Sequence, residues 1–251
     1  MDKKEKTDRG VKKKRKKKHL FLNIIVVVLI LIGLYFLATS GIFAIEKIMV
    51  KSSGHHFTDA KIADLSGIKK SDNLWKTRTS NAEKRLERNP YIANAKIKRK
   101  LPDAIEITIN EREENYAIAV EGGFAVLDWS GIVLRHTNEA LRLPLIEGVE
   151  VEKAATGSAI VSSRDLLLSD TVKLLENTNK AGLYFKRVRV TDVGIKAYIY
   201  DTLSVRGRLE SVDKNLDKVK LVMLDLAKQK IKRGTIIVGE NGNCTFSPEK
   251  S

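Results

Sequence analysis

A single cysteine, Cys244, stands in 251 residues. That excludes an internal disulfide framework and any cysteine cage for zinc, so a domain on the oxidising side of a membrane must be stable through its core alone. Histidine is scarce too, with only His19, His55, His56 and His136 present. No His-Glu-x-x-His helix exists, and His55-His56 reads as a solvated turn rather than a ligand pair. No glycine-rich phosphate loop appears either, because Gly239-Glu240-Asn241-Gly242 lacks the lysine and the following helix. Long apolar runs are absent but for one, and no series of amphipathic ten-residue spanning strands suggests a membrane barrel.

Catalytic constellations are also missing. Ser66-Gly67-Ile68-Lys69, Ser71-Asp72-Asn73 and Lys76-Thr77-Arg78 imitate the three motifs of penicillin-binding enzymes, yet they fall within thirteen consecutive residues. Those motifs must converge on one acyl-transfer centre from separate elements, and adjacent loop residues cannot surround one. Ser-x-x-Lys recurs at Ser211–Lys214 and Ser247–Lys250, which shows how little the pattern discriminates. The sequon Asn243-Cys244-Thr245 matches by pattern, with chance as the default reading. The expectation is no enzyme, no metal and no cofactor.

What is present begins with charge. Basic residues number 46 and acidic ones 31, a net +15. Eleven of the basic residues lie in the first nineteen positions, against three acids, so the high pI describes one arm. The arm carries the run Lys12, Lys13, Lys14, Arg15, Lys16, Lys17 and Lys18, and it has no aromatic residue on which a base could stack, so nucleic acid is not an expected partner. Residues 20–43 then run for 24 positions without a charge. As a helix they reach about 36 Å, enough to cross a bilayer core of about 30 Å. A cleaved signal peptide would want about 7–15 apolar residues, so the length favours a retained span. Only Lys47 and Lys51 follow within fifteen positions. The basic run therefore stays in the cytoplasm, contacts anionic lipid, and sends residues 44–251 outward in a single-pass type II topology.

Periodicity outlines the outer part. Ile45–Val50 reads as a strand; Thr58 caps a helix with Ile62 and Leu65 on one face, stopped by Gly67. Leu74-Trp75 is an apolar pair expected to plug the core. A second helix over Thr79–Asn89 ends at Pro90. Two strands follow: Ile92–Arg99, with Ala93, Ala95 and Ile97 on one face, and Ala104–Ile109, with Ile105, Ile107 and Ile109 on one face. The order is β-α-α-β-β. Beyond it come strands at Tyr116–Val120, Phe124–Leu127 and Ile132–Arg135, then a helix near Asp165–Asn179 presenting Leu168, Val172 and Leu175. A meander follows over Phe185–Val190, Ile195–Tyr200 and Leu203–Gly207. One long helix spans Val212–Lys230, and Thr235–Val238 and Cys244–Phe246 close the pattern.

With no reactive cluster, the physical asset of the chain is strand edges held near a membrane, whose unpaired N–H and C=O groups a partner strand can complete. Ala104, Ile105, Glu106, Ile107, Thr108 and Ile109 are one expected edge. Lys96-Ile97-Lys98-Arg99-Lys100 is either a strand kept soluble by lysine or a weak contact for anionic envelope polymers.

The motifs carry a resemblance. A strand after a span, two short helices, Asn89-Pro90-Tyr91-Ile92 and Leu101-Pro102-Asp103 running on to Glu111-Arg112 resemble the POTRA domain of the FtsQ/DivIB bacterial division family, and of its DivIB type. Asp128-Trp129-Ser130-Gly131 resembles that family's hairpin turn, and Leu143-Pro144-Leu145-Ile146-Glu147-Gly148 its following segment. The resemblance implies an α+β fold: a transmembrane helix, a POTRA domain, then a β-rich domain with packed helices. Its parts would be a basic cytoplasmic tail (1–19), the span (20–43), the POTRA domain (44–112), the β domain (113–238) and a C-terminal segment with a last short strand (239–251). It further implies a non-catalytic scaffold at the division septum that recruits FtsB/DivIC-like and FtsL-like proteins. Partner pairing would then fall, by position, on Thr235, Ile236, Ile237 and Val238 and on Cys244, Thr245, Phe246 and Ser247. The turn Gly239–Asn243 between them departs from the family pattern. The reading from another class is a membrane-anchored extracytoplasmic cell-wall enzyme or envelope-polymer-binding module.

Overall fold

The computed structural model describes residues 2–249, and side chains over 21–249. The side chains of Lys12–Lys18 therefore lie outside the described residues. The chain divides into two compact units, residues 1–86 with 94–109, and 87–93 with 110–251.

The first unit opens with helix α1 (Asp2–Thr39). Its stretch Phe21–Thr39 is long and apolar enough to cross a membrane, with a mean hydropathy of 2.9 and no part of it buried in the protein. The helix stops short of the charge-free run's end. Thr39 Oγ1 donates to the carbonyls of Tyr35 and Phe36, and Ser40 Oγ to that of Leu37, which takes up carbonyls left over in the last turn. A 3-10 turn at Gly41–Phe43 follows.

Strand β1 (Lys47–Ser52) leads to α2 (Asp59–Ser66) and α3 (Thr79–Glu87), then to β2 (Ile92–Lys100) and β3 (Ala104–Glu111). Thr58 caps α2 by accepting from Lys61 N–H, and Gly67 ends it at φ +67, a left-handed conformation that glycine adopts without a Cβ clash. Ser66 of the enzyme-like motif is spent on structure: its hydroxyl donates to Ala63 O and accepts from Ile68 N–H, while Lys69 is exposed. Leu74 is fully buried, but its neighbour Trp75 is 49% exposed, so only half of the expected plug enters the core.

Two expectations about the sheet need correction. Its order is β1-β3-β2, so Ala104–Ile109 is central, not an edge. Ala104, Ile105, Glu106, Ile107, Thr108 and Ile109 pair one to one, in parallel, with Lys47–Ser52. The β2–β3 hairpin leaves both of its outer sides open, and the crossover through α2 and α3 sets β1 beside β3. The second correction concerns β2, where Ile92, Ala95 and Ile97 are buried while Ala93 is exposed. The alternation slips by one residue near the strand's start. Ile105, Ile107 and Ile109 are buried as their spacing predicts.

The second unit is a nine-stranded sheet of order β14-β13-β12-β11-β10-β7-β4-β5-β6. Hairpins β4 (Tyr116–Val120), β5 (Gly123–Leu127) and β6 (Val133–Thr137) build one side. The meander β10 (Arg187–Thr191), β11 (Gly194–Tyr200) and β12 (Leu203–Gly207) builds the other. Between them β7 (Leu145–Glu147) pairs in parallel with both β4 and β10. A small ladder, β8 (Val151–Lys153) with β9 (Val161–Ser162), stands apart.

Parallel neighbours require long crossovers: β5 and β6 fill the one from β4 to β7, and helices lie in the others. Helix α4 (Asp165–Lys180) lies in the β7-to-β10 connection. The expected single helix over Val212–Lys230 is two, α5 (Leu209–Lys214) and α6 (Leu216–Lys228), which connect β12 to the parallel β13 (Gly234–Val238). Asn215 makes the break, at φ −119, its side chain donating to Ser211 O and so competing with helical continuation. Leu168 and Leu175 of α4 and Val212, Leu216, Val219 and Leu226 of α5 and α6 join Ile146, Val188, Val205 and Ile236 of the sheet in one core. Leu221 and Leu224 stay exposed, because the helical period of α6 puts them on the side away from the buried Leu216, Val219 and Leu226.

Candidate functional site

The last strand, β14 (Cys244–Ser247), pairs antiparallel with β13 and ends the sheet. The C-terminal segment is thus part of the large sheet. Of the residues assigned by position to partner pairing, Thr235, Ile236, Ile237 and Val238 lie in β13, whose backbone is occupied by β12 on one side and β14 on the other. The outer strand is made of Cys244, Thr245, Phe246 and Ser247. Gly239 N–H donates to Asn243 O at the turn. Alternation along an antiparallel pair then turns the backbone of Thr245 and Ser247 toward β13, and that of Cys244 and Phe246 outward.

The side chains alternate in step. Cys244 and Phe246 are partly buried against the core, and Thr245 and Ser247 are exposed. Burial raises the Cys244 thiol above its ordinary range, opposed by Lys218, so it stays a neutral packing group near neutral pH. Ile237, opposite Thr245, is 43% exposed and gives this face one apolar contact point. Ile236 and Val238 are buried core residues, worth about 1.5–3 kcal/mol each in removed apolar surface.

Several residues hold this edge in place. Gly234 sits at φ +133 where a Cβ would stand 2.6 Å from the Phe246 ring and from Ser247 O, so only glycine lets β14 close down. The turn at 239–243 docks on the α5–α6 break: Lys218 Nζ donates to Gly242 O at 2.9 Å, and a Cβ on Gly242 would meet Asn215. Asn241 Oδ1 accepts from Asn243 N–H, and Arg208 pairs with Glu240 at 2.9 Å on the surface. None of this support was visible in sequence, because Lys218 and Gly242 lie 24 positions apart.

Two other strand edges are finished differently. Along β6, Val133 N–H donates to Ser158 O, Val133 O accepts from Gly157 N–H, and His136 Nε2 reaches Ala154 O at 2.7 Å. In the small sheet, Ile97 N–H of the outer strand β2 donates to the Glu83 carboxylate at 2.7 Å. Lys96, Lys98 and Lys100 line that strand exposed, a pattern that discourages strand addition.

A polar cluster gathers residues that the sequence motifs had singled out separately. Arg112 Nη1 donates to the carbonyls of Pro90 and Ile92, and Arg112 Nε pairs with Asp128 at 2.9 Å. Asp128 in turn accepts from Ile132 N–H and Ser130, fixing the Asp128–Gly131 turn. Beside it Arg135 grips Glu114 through two nitrogens, and Tyr91 donates to the same carboxylate at 2.7 Å. Burial and that carboxylate hold the Tyr91 hydroxyl up at about 12, and the Glu114 pairing pushes Arg135 upward. The cluster is a structural clamp. Among the described residues no group of His, Cys, Asp and Glu could hold a metal ion.

A POTRA-like unit behind an apolar helix, followed by a large sheet that ends at β14 among the described residues, is the layout of a membrane-anchored protein. The family described as POTRA domain, FtsQ-type, matches residues 43–112. The cell division protein DivIB of Clostridium botulinum is 29% identical over 215 residues, covering 83% of each chain. DivIB of Clostridium acetobutylicum is 24% identical over 196 residues, 74% of this chain and 76% of the relative. FtsQ of Syntrophotalea carbinolica is 28% identical over 130 residues, 51% of this chain and 45% of the relative. This chain is a homologue of the bacterial cell division proteins DivIB and FtsQ.

Proposed function

We propose that the chain is a non-catalytic scaffold of the division complex, and that its working surface is the β14 edge. The observation that carries this reading is the contrast among edges: β6 is covered and β2 is capped, while β14 ends the sheet with the backbone groups of Cys244 and Phe246 turned outward. A partner segment in extended form adds there as a tenth strand through main-chain hydrogen bonds, and Thr245, Ser247 and Ile237 select its side chains. The partners are FtsB/DivIC-like and FtsL-like division proteins. The basic tail stays cytoplasmic on anionic lipid, the rest faces outward, and the protein works at the septum. The division of labour follows residues 1–19, 20–43, 44–112 and 113–238, with 239–251 serving the β domain. The lysines of β2 make at most a weak contact with anionic envelope polymers.

The test is removal of residues 244–251 from the full chain. Deletion from residue 235 is unsuitable, since it takes out the buried Ile236 and Val238 of an interior strand. The shorter truncation should weaken capture of a DivIC-like partner by about a hundredfold or more, roughly 2.7 kcal/mol, with the melting transition of the outer part retained. Undiminished capture by a folded truncation would rule the edge out.

A further inference from the structure

The span hands over to the first unit with almost no slack. Ala38, in the last turn of α1, accepts through its carbonyl from Asn73 Nδ2 at 3.0 Å. Ala44 and Asn73 form an antiparallel bridge, Ile45 N–H donates to Asp72 O, and Leu74 N–H donates to Phe43 O. Asn73 Oδ1 also accepts from the N–H groups of Trp75 and Lys76, so one side chain ties the helix end to the loop. A second loop meets the same point, because Asp103 O accepts from Glu46 N–H. Arg99 braces the first loop by donating to Leu74 O and Thr77 O.

Three separate turns thereby bring exposed apolar side chains to the helix exit: Ile42 at 61% exposure, Trp75 at 49% and Leu101 at 61%. Trp75 is held edge-on by Phe43, with ring centroids 5.9 Å apart. Exposed Lys69, Lys70, Lys76 and Lys100 accompany them. The acids nearby are Glu46, Asp103 and Asp72, the last taken up by Lys69 N–H, while Lys100 also lies 3.8 Å from Glu106. An indole with one polar edge, flanking aliphatics and long cationic side chains is the composition that settles at a membrane–water interface.

We propose that this end of the first unit is a lipid contact. Trp75, Ile42 and Leu101 enter the interfacial layer of the leaflet where the span emerges, and the lysines hold headgroup phosphates. The inference rests on Phe21–Thr39 being a span and goes beyond partner pairing, since it fixes the unit against the bilayer independently of β14.

The sequence has two tryptophans, so the Trp129→Phe full chain reports on Trp75 alone. It is reconstituted in vesicles of phosphatidylcholine with or without an equal part of phosphatidylglycerol. The expected result is blue-shifted emission, quenching by lipids brominated near the head of the acyl chain, and protection from iodide. Replacing Lys69, Lys70 and Lys76 together by Glu should at least halve the lipid quenching in the anionic vesicles and leave the fold intact. Full iodide access with no lipid quenching would overturn the contact, and quenching indifferent to the lysine changes would overturn the phosphate-holding role. Failure of the chain to float with carbonate-washed vesicles would instead overturn the span itself.

Discussion

Val133 in β6 has both of its outward backbone groups engaged by Ser158 and Gly157, and His136 further along reaches Ala154. No such cover runs along Cys244–Ser247 at the opposite end of the same sheet among the described residues. Both outer strands carry polar residues, Arg135, His136 and Thr137 in β6 and Thr245 and Ser247 in β14, although only β14 alternates in burial. They differ in what the rest of the chain lays beside them. A protein that closes one rim with its own loop and caps a second with a glutamate has the means to protect an edge. The uncovered edge of the large sheet is therefore the one to test for traffic.

The contrast breaks most severely if the closed rim is opened. Gly157 sits at φ +81 and donates its N–H to Val133 O, and proline can do neither. Gly157→Pro should cost about 3 kcal/mol and produce self-association through β6, read by thermal unfolding and light scattering. A monomeric variant of unchanged stability would show that the cover protects nothing. At the open rim, a smaller effect separates outward from inward groups. Cys244→Pro removes an outward N–H and should weaken partner binding about tenfold, roughly 1.4 kcal/mol, with little change in melting. Thr245→Pro removes a rung to β13 and should instead lower stability by about 1 kcal/mol. The reverse ranking would mean that the strand presents its other set of groups.

The smallest effect lies in the three-stranded sheet, where Lys51 Nζ stands 2.8 Å from Glu106 and holds its carboxyl below the ordinary range. A carboxyl lowered by folding adds stability above its unfolded pKa and loses it as pH falls through the folded value. Lys51→Ala should therefore lower the melting temperature slightly at neutral pH, with the difference from the parent shrinking below about pH 4. A carbon-detected titration of Glu106 that does not move upward in the variant would remove the pair from the account.

Local elements were readable because their signals are local: Thr58 and Gly67 bracket α2, Pro90 follows α3, and the isoleucines of β3 keep their two-residue period. Strand neighbourhood was not. That Ala104–Ile109 lies between two strands depends on where β1 docks after a crossover, and no residue in the strand announces it. Asn215 could have warned of the helix break, being a residue whose amide competes with the backbone, but the apolar period ran through it. In the β14 region the strand itself was legible from Cys244–Phe246. Its status as the true rim, with Thr235–Val238 enclosed, emerged only from the sheet order.

The splice at β7 has a consequence for how the large sheet comes together. Each side of it is made from neighbours in sequence, β4 to β6 and β10 to β12, which find one another over short loops. Leu145–Glu147 alone joins the two blocks, and it does so by parallel rungs to Ala117 and Ile118 on one flank and to Arg187, Val188 and Arg189 on the other. Loop closure is cheapest for the hairpins and dearest for this seam, so the halves should zip late and part early. Amide protons at Ile146 would then exchange as a gauge of whether one cooperative body or two is being pulled apart.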